Sequence, residues 1–189
     1  SFGTGELIKD ALDRRCNEII IGLGGSATND GGLGMARALG VRFLNIEGIE
    51  VSGGGGELLK IDTVDISNID PRIKNVKFVA ACDVDNPLCG KNGASNIYGR
   101  QKGASDSDIK ILDRGLAHFS NIIKKQFDVD LKDLPGAGAA GGIGYAVMFF
   151  LNGKLEKGIE IISRKTSLAD KMSDADLVIT GEGRIDFQT

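Results

Sequence analysis

The sequence predicts an α/β fold, with a mostly parallel or mixed sheet, flanking helices and glycine-rich loops at the strand C-termini. Three observations carry that prediction. Short apolar, β-rich runs recur at Glu18 to Ile21, Val76 to Cys82 and Asp176 to Thr180, the pattern of buried parallel strands. Helical stretches lie between them. Glycine, 28 of 189 residues, clusters at 22–34, 53–56 and 136–144 with no collagen-like period, so it marks loops.

In chain order, Thr4 is placed to cap a helix that carries Leu7, Ile8, Ala11 and Leu12 on one face and ends near Arg15. The strand at 18–23 then stops at glycine. The loop from Gly22 to Gly34 surrounds Ser26, Ala27, Thr28, Asn29 and Asp30, and a helix ending near Gly40 follows. A strand, glycine loop and helix in succession leave backbone N–H groups at a positive helix end, where phosphate or carboxylate is the natural guest. Val41 to Leu44 and Ile49 to Val51 flank Asn45 to Gly48 as a hairpin. Gly53 to Gly56 leads, as a connector or a site, into a short helix over 57–60.

The second strand runs into Asp83, Val84, Asp85, Asn86 and Pro87. Ligands of open α/β sheets sit at the carboxyl ends of strands, and two carboxylates beside an amide suit a metal or a substrate hydroxyl; an exposed Asx-Pro turn is the alternative. Residues 92–103, with Arg100 and Lys102, supply cations. Ser105 or Ser107 caps the longest helix, whose Ile109, Leu112, Leu116, Phe119 and Ile123 keep helical spacing and read as core. Gly136, Gly138 and Gly141 spell G-x-G-x-x-G ahead of a helix at 145–151, but Leu131 to Leu134 makes a poor strand, so the dinucleotide fingerprint fails on context. Close packing and an anion-binding helix end compete for those glycines. Helices at 159–162 and 168–172 lead to the third strand, which ends in a loop with Glu182, Arg184 and Asp186.

Composition narrows the function. A formal net charge of −3 without a basic stripe argues against nucleic acid as a partner. No apolar run reaches bilayer length, no membrane partner is expected, and the N-terminus lacks a signal-peptide pattern. Cys16, Cys82 and Cys89 form no C-x-x-C pair, which fits a reducing, cytoplasmic setting. His118 is the only histidine and lies in a predicted helix, so acid–base work falls to carboxylates. The chain starts without Met and stops just after a strand and polar loop, so it reads as a piece of a longer protein.

The strand ends together offer Gly24, Gly25 and Ser26 as phosphate donors and Asp30, Asp83, Asp85, Glu182 and Asp186 as oxygen ligands or a base. Lys102 and Arg184 are placed to offset phosphoryl charge. That inventory suits phosphoryl transfer with magnesium, although no Walker motif is present.

The stretches IGLGGSATNDGGLGMARALG (21–40), ACDVDNPLCGKNGAS (81–95), YGRQKGAS (98–105), GAGAAGGIG (136–144) and ADLVITGEGRIDFQT (175–189) closely resemble the glycerate kinase family, of the bacterial glycerate 2-kinase type. The resemblance runs from Ser1 to Thr189. It implies ATP-dependent phosphorylation of D-glycerate, with 2-phosphoglycerate the favoured product, ATP and Mg2+ as cofactors, and glycerate, nucleotide and the remainder of the polypeptide as partners. It also implies two α/β domains, one inserted into the other, with 1–189 as the central part: mainly the inserted domain with flanks of the other, inactive alone. Under it, Gly24, Gly25, Ser26 and Asn29 bind glycerate carboxylate or ATP phosphate. Asp83 or Asp30 takes the hydroxyl proton, with Lys102 and Arg184 catalytic cations. Asp85, Asn86, Gly138 and Gly141 join the substrate and phosphate contacts, and Glu182 and Asp186 hold magnesium directly or through water. Two other readings stand beside it. In an NAD-type oxidoreductase, Gly22, Gly24 and Ala27 would fit the looser G-x-G-x-x-A pattern, with Glu47 as the ribose acid. A non-catalytic hydroxy-acid-binding module is the second.

Overall fold

A computed structural model describes residues 1–181. Its elements in order are helix α1 (Phe2–Asp13), strand β1 (Glu18–Gly22), α2 (Leu33–Ala38), β2 (Arg42–Leu44), β3 (Thr63–Asp65), β4 (Lys77–Ala81), α3 (Ala94–Tyr98), α4 (Asp106–Phe127), α5 (Ala139–Phe150), β5 (Lys154–Glu156), α6 (Gly158–Thr166) and α7 (Leu168–Ser173), with 3-10 turns at Gly55–Lys60, Pro71–Asn75 and Arg100–Lys102.

The expected class holds: a parallel sheet ordered β1-β4-β5, with helices around it and a separate antiparallel pair, β2-β3. β1 and β4 run in register from Glu18 beside Lys77 to Gly22 beside Ala81, so both strands end at the same level. β4 is central, with Phe78, Val79 and Ala80 buried. Among the described residues β1 is at the edge of the sheet and covered on one face only: Ile21 is buried but Ile20 is 44% exposed, where the sequence pointed to a fully buried strand.

The third strand differs from expectation. Residues 176–180 are irregular and exposed, with Ile179 87% exposed, and the sheet takes β5 instead. An apolar β-rich run becomes a strand only when a neighbouring strand satisfies its backbone, and among the described residues 176–180 has none. The short Lys154–Glu156 segment has one, because its backbone lies beside β4 from Val79 to Ala81. The expected hairpin is present as a turn: Asn45 N–H donates to the Ile49 carbonyl at 2.9 Å, and Glu50 bridges Leu44. However, the ladder partner of β2 is β3, which the sequence left unread. Helix α1 begins at Phe2, ahead of Thr4.

α4 starts on a capping box in which the Ser105 hydroxyl and the Asp108 carboxylate satisfy each other's backbone N–H. Its buried stripe, Ile109, Leu116, Phe119 and Ile123, keeps the spacing read from sequence, while Leu112, expected with them, is half-buried. Phe119 packs edge-on against Phe43 at 5.9 Å and Tyr145 at 5.8 Å, joining α4, β2 and α5 in one core. His118 is half-buried and its Nε2 lies 2.7 Å from the Ile61 carbonyl, a structural contact. No helix among the described residues is long and apolar enough to cross a membrane.

Tyr145 is fully buried, and its hydroxyl finds no partner among the described residues. Burial also pushes its phenol well above the usual range. An unpaired buried hydroxyl destabilises, so Tyr145→Phe is expected to raise stability by about 1 kcal/mol, read from urea midpoints. A loss of about 2 kcal/mol would show instead that the hydroxyl is bonded to buried water.

Candidate functional site

The carboxyl ends of β1 and β4 open on a cleft of about 590 Å³, lined by Leu23, Gly24, Gly25, Ser26, Ala27, Val84, Tyr98, Gln101, Lys102 and Ala140. Two of the three expected loops, those after Ile21 and Cys82, therefore meet. The third carries Glu182, Arg184 and Asp186, which lie outside the described residues.

Gly24, Gly25 and Ser26 make no backbone hydrogen bond among the described residues. A Cβ built on Gly22, Gly24 or Gly25 would meet no atom within 4 Å, and Gly25 has φ +60. The loop thus presents bare backbone to open space, where an anion can approach N–H groups directly. Facing it, the half-buried Lys102 ammonium donates to the Thr28 carbonyl at 2.5 Å and to Ser26 Oγ at 3.1 Å. Burial pushes this ammonium below its ordinary value, and the charge of Asp30 pulls the other way.

The glycines at 136–144 behave differently. A Cβ on Gly138 would lie 2.3 Å from the Pro87 carbonyl, and one on Gly141 (φ +69) 1.9 Å from the Thr28 carbonyl. Ala140, Gly141 and Gly142 all have left-handed backbone, so the regular part of α5 starts after them. These contacts place Gly138 and Gly141 in close packing against neighbouring backbone, and their N–H groups donate to the Asn86 and Gly138 carbonyls. Of the residues near them, only Ala140 lines the cleft.

Asp30 is likewise placed away from the cleft. Its buried carboxylate accepts from Gly32 N–H at 2.9 Å, Gly34 N–H at 3.2 Å and the Ser1 hydroxyl at 2.7 Å. It fills the N-terminus of α2, so the helix-end anion position expected there is taken up from within the chain. Asn29 Nδ2 donates to Ser95 Oγ at 3.0 Å and ties the loop to α3. Asp83 sits at the exposed end of β4 and accepts from Gly158 N–H at 2.9 Å, capping α6. Asp85 is exposed on the same loop. Asn86 donates to the Asn92 carbonyl at 2.9 Å and accepts from the Tyr98 hydroxyl at 2.6 Å, so it holds Tyr98 in the cleft wall. Glu47 lies in the 45–49 turn, not at a strand end, and does not line the cleft.

Tyr98 and Gln101 were missed in the sequence, although a signal existed. Tyr98, Gln101 and Lys102 stand three and four apart in YGRQK, the spacing of one helical face. The donor set fits an anionic group such as carboxylate or phosphate. A magnesium site does not follow from it: among the described residues no three His, Cys, Asp or Glu side chains cluster closely enough to hold a metal ion.

Fold and cleft together define an α/β protein with a donor-lined cleft at the ends of adjacent parallel strands. Residues 1–189 match the model of the glycerate kinase family. The chain is 54% identical over 189 residues to the glycerate 2-kinase of Escherichia coli K12 and 51% identical to a glycerate kinase of Halalkalibacterium halodurans, covering all of itself and 50% of each. A crystal structure from Salmonella typhimurium LT2, provisionally assigned as glycerate kinase 2, superposes with a TM-score of 0.92 at 49% identity, over all of this chain and 50% of that one. The chain belongs to the glycerate kinase family. It spans about half the length of the curated relatives it matches.

The two glycine clusters should respond oppositely to a methyl group. Gly141→Ala is expected to cost about 2–4 kcal/mol, through overlap and left-handed strain. Gly24→Ala should stay within about 1 kcal/mol of the parent. Denaturant midpoints check this, and the reverse order would contradict the packing assignment.

Proposed function

We propose that this chain carries the anion-binding cleft of a glycerate kinase that transfers phosphate from ATP to D-glycerate, with 2-phosphoglycerate as product. The observation that carries this reading is the half-buried Lys102 ammonium facing the bare Gly24–Ser26 backbone. Similarity to proteins described as glycerate kinase and glycerate 2-kinase supports it.

In this reading, the N–H groups of Gly24, Gly25 and Ser26 and the Lys102 ammonium receive the glycerate carboxylate or the transferring phosphoryl group. Phosphoryl transfer is catalysed mainly by positioning and charge stabilisation, which fixed amides and one desolvated cation provide. Tyr98, held by Asn86, and Gln101 orient the substrate hydroxyls. Asp83 is the remaining candidate for the hydroxyl proton, since Asp30 is committed to α2. Glu182 and Asp186 would hold the magnesium that accompanies ATP, and the ion would offset charge on the transferring phosphate. The chain is proposed to be mainly an inserted domain that binds ligand but needs the rest of the polypeptide for turnover.

Phosphorus NMR of the product formed by the longer protein from D-glycerate and ATP–magnesium tests the activity. A 2-phosphoglycerate resonance is the expected result, and no phosphorylated glycerate would sink the reading.

Lys102→Gln in that protein should lower kcat/KM by about 100- to 1,000-fold with the fold retained on circular dichroism. The pH dependence has a definite sign. Because burial lowers the Lys102 value, the ammonium is lost at a lower pH than that of an exposed lysine. Activity should therefore fall on an alkaline limb that Lys102→Arg flattens, since arginine keeps its charge. The same limb in parent and Lys102→Arg enzymes would remove Lys102 from the assignment.

A further inference from the structure

A second concavity, larger than the cleft, lies at the other end of the sheet. It encloses about 760 Å³, within the range of small-molecule sites. Its floor is Phe78, where β4 begins, and its walls include Ile69, Ile73, Phe127 and Phe149. Phe149 meets Phe127 at a centroid distance of 5.2 Å, so the ends of α4 and α5 form one aromatic wall.

Three lysines, Lys74, Lys77 and Lys154, and one carboxylate, Asp70, also line this pocket. The carboxylate is neutralised by Arg72, whose guanidinium lies 2.6 Å away. Lys77 is paired with Glu18 at 3.0 Å. Lys74 and Lys154 are exposed and form no ion pair among the described residues. The mouth therefore carries two uncompensated positive charges over an apolar interior.

We propose that this pocket binds a small amphipathic anion, with an aryl or short acyl body against the aromatic wall and one anionic head between Lys74 and Lys154. Glycerate itself does not suit it, because its hydroxyls would be buried without partners. The pocket is separate from the cleft, yet β4 and α5 each reach both: Phe78 and Phe149 line the pocket, while Val84, just past β4, and Ala140, in the first turn of α5, line the cleft. The site is thus placed for an effector that binds together with substrate.

Calorimetric titration of the full chain with 4-phenylbutyrate, and in parallel with the neutral 4-phenyl-1-butanol, tests the proposal. Saturable one-to-one binding of the acid is expected, about tenfold tighter than that of the alcohol. The double variant K74Q/K154Q should abolish that preference while leaving the melting temperature unchanged, because both lysines are exposed. Absence of saturable acid binding, equal affinity for acid and alcohol, or an undiminished preference in the double variant would each overturn the site. A dimer in sedimentation that excludes both ligands would overturn it too, by showing the face to be covered by a second copy.

Discussion

The structure depends on one close approach of backbone to backbone. The Gly138–Gly142 turn is pressed against the Thr28–Gly31 segment and the Pro87 carbonyl so tightly that no side chain fits between. The Gly31 N–H donates to the Gly141 carbonyl at 3.0 Å, and the Gly138 N–H to the Asn86 carbonyl at 2.9 Å. These bonds join the loops after β1 and β4 to the start of α5. With 28–31 clamped, the preceding Gly24–Ser26 stretch spans from strand end to clamp and is left exposed over the cleft. The Gly24–Ser26 loop is bare because its neighbour is crowded.

Charge is distributed by the same logic. The Asp30 carboxylate satisfies the first turn of α2, which leaves the cleft with a cation and amide donors. Lys102 holds its position by donating to Thr28 and Ser26, and both acceptors belong to the clamped loop or its edge. The half-buried ammonium donates only to neutral partners, with the Asp30 charge acting on it from outside its hydrogen bonds, so an incoming carboxylate or phosphate would add a direct countercharge. At the far end of the sheet, Glu18 is drawn down to about 2 by Lys165 and Lys77, tying α6 and β4 to β1 where no cleft is needed.

Much of the fold was legible because periodicity reports burial. The α4 stripe and its Ser105 cap, the central strand β4 and the glycine loops were all readable from spacing and residue type. β3 and β5 were not, since three residues carry no period and their strand character comes from a neighbour. The run at 176–180 misled for the converse reason: its composition suits a strand, but among the described residues no strand pairs with it. At the cleft, the sequence pointed to two loops that line it but could not tell which glycines face space and which face a carbonyl oxygen. Nor could it separate a carboxylate that caps a helix, as Asp30 does, from one that faces a ligand. That distinction is set by where a side chain turns over a few ångströms, which composition does not encode.

The central claim is that the bare Gly24–Ser26 backbone and Lys102, and not the glycine turn at 136–144, receive the anion. Backbone amide NMR of the labelled protein, titrated with D-glycerate and separately with tripolyphosphate, tests it most directly. The account predicts saturable shifts concentrated at Gly24, Gly25, Ser26 and Lys102. Shifts concentrated at Gly138 to Gly144, with Gly24 to Ser26 unmoved, would contradict it.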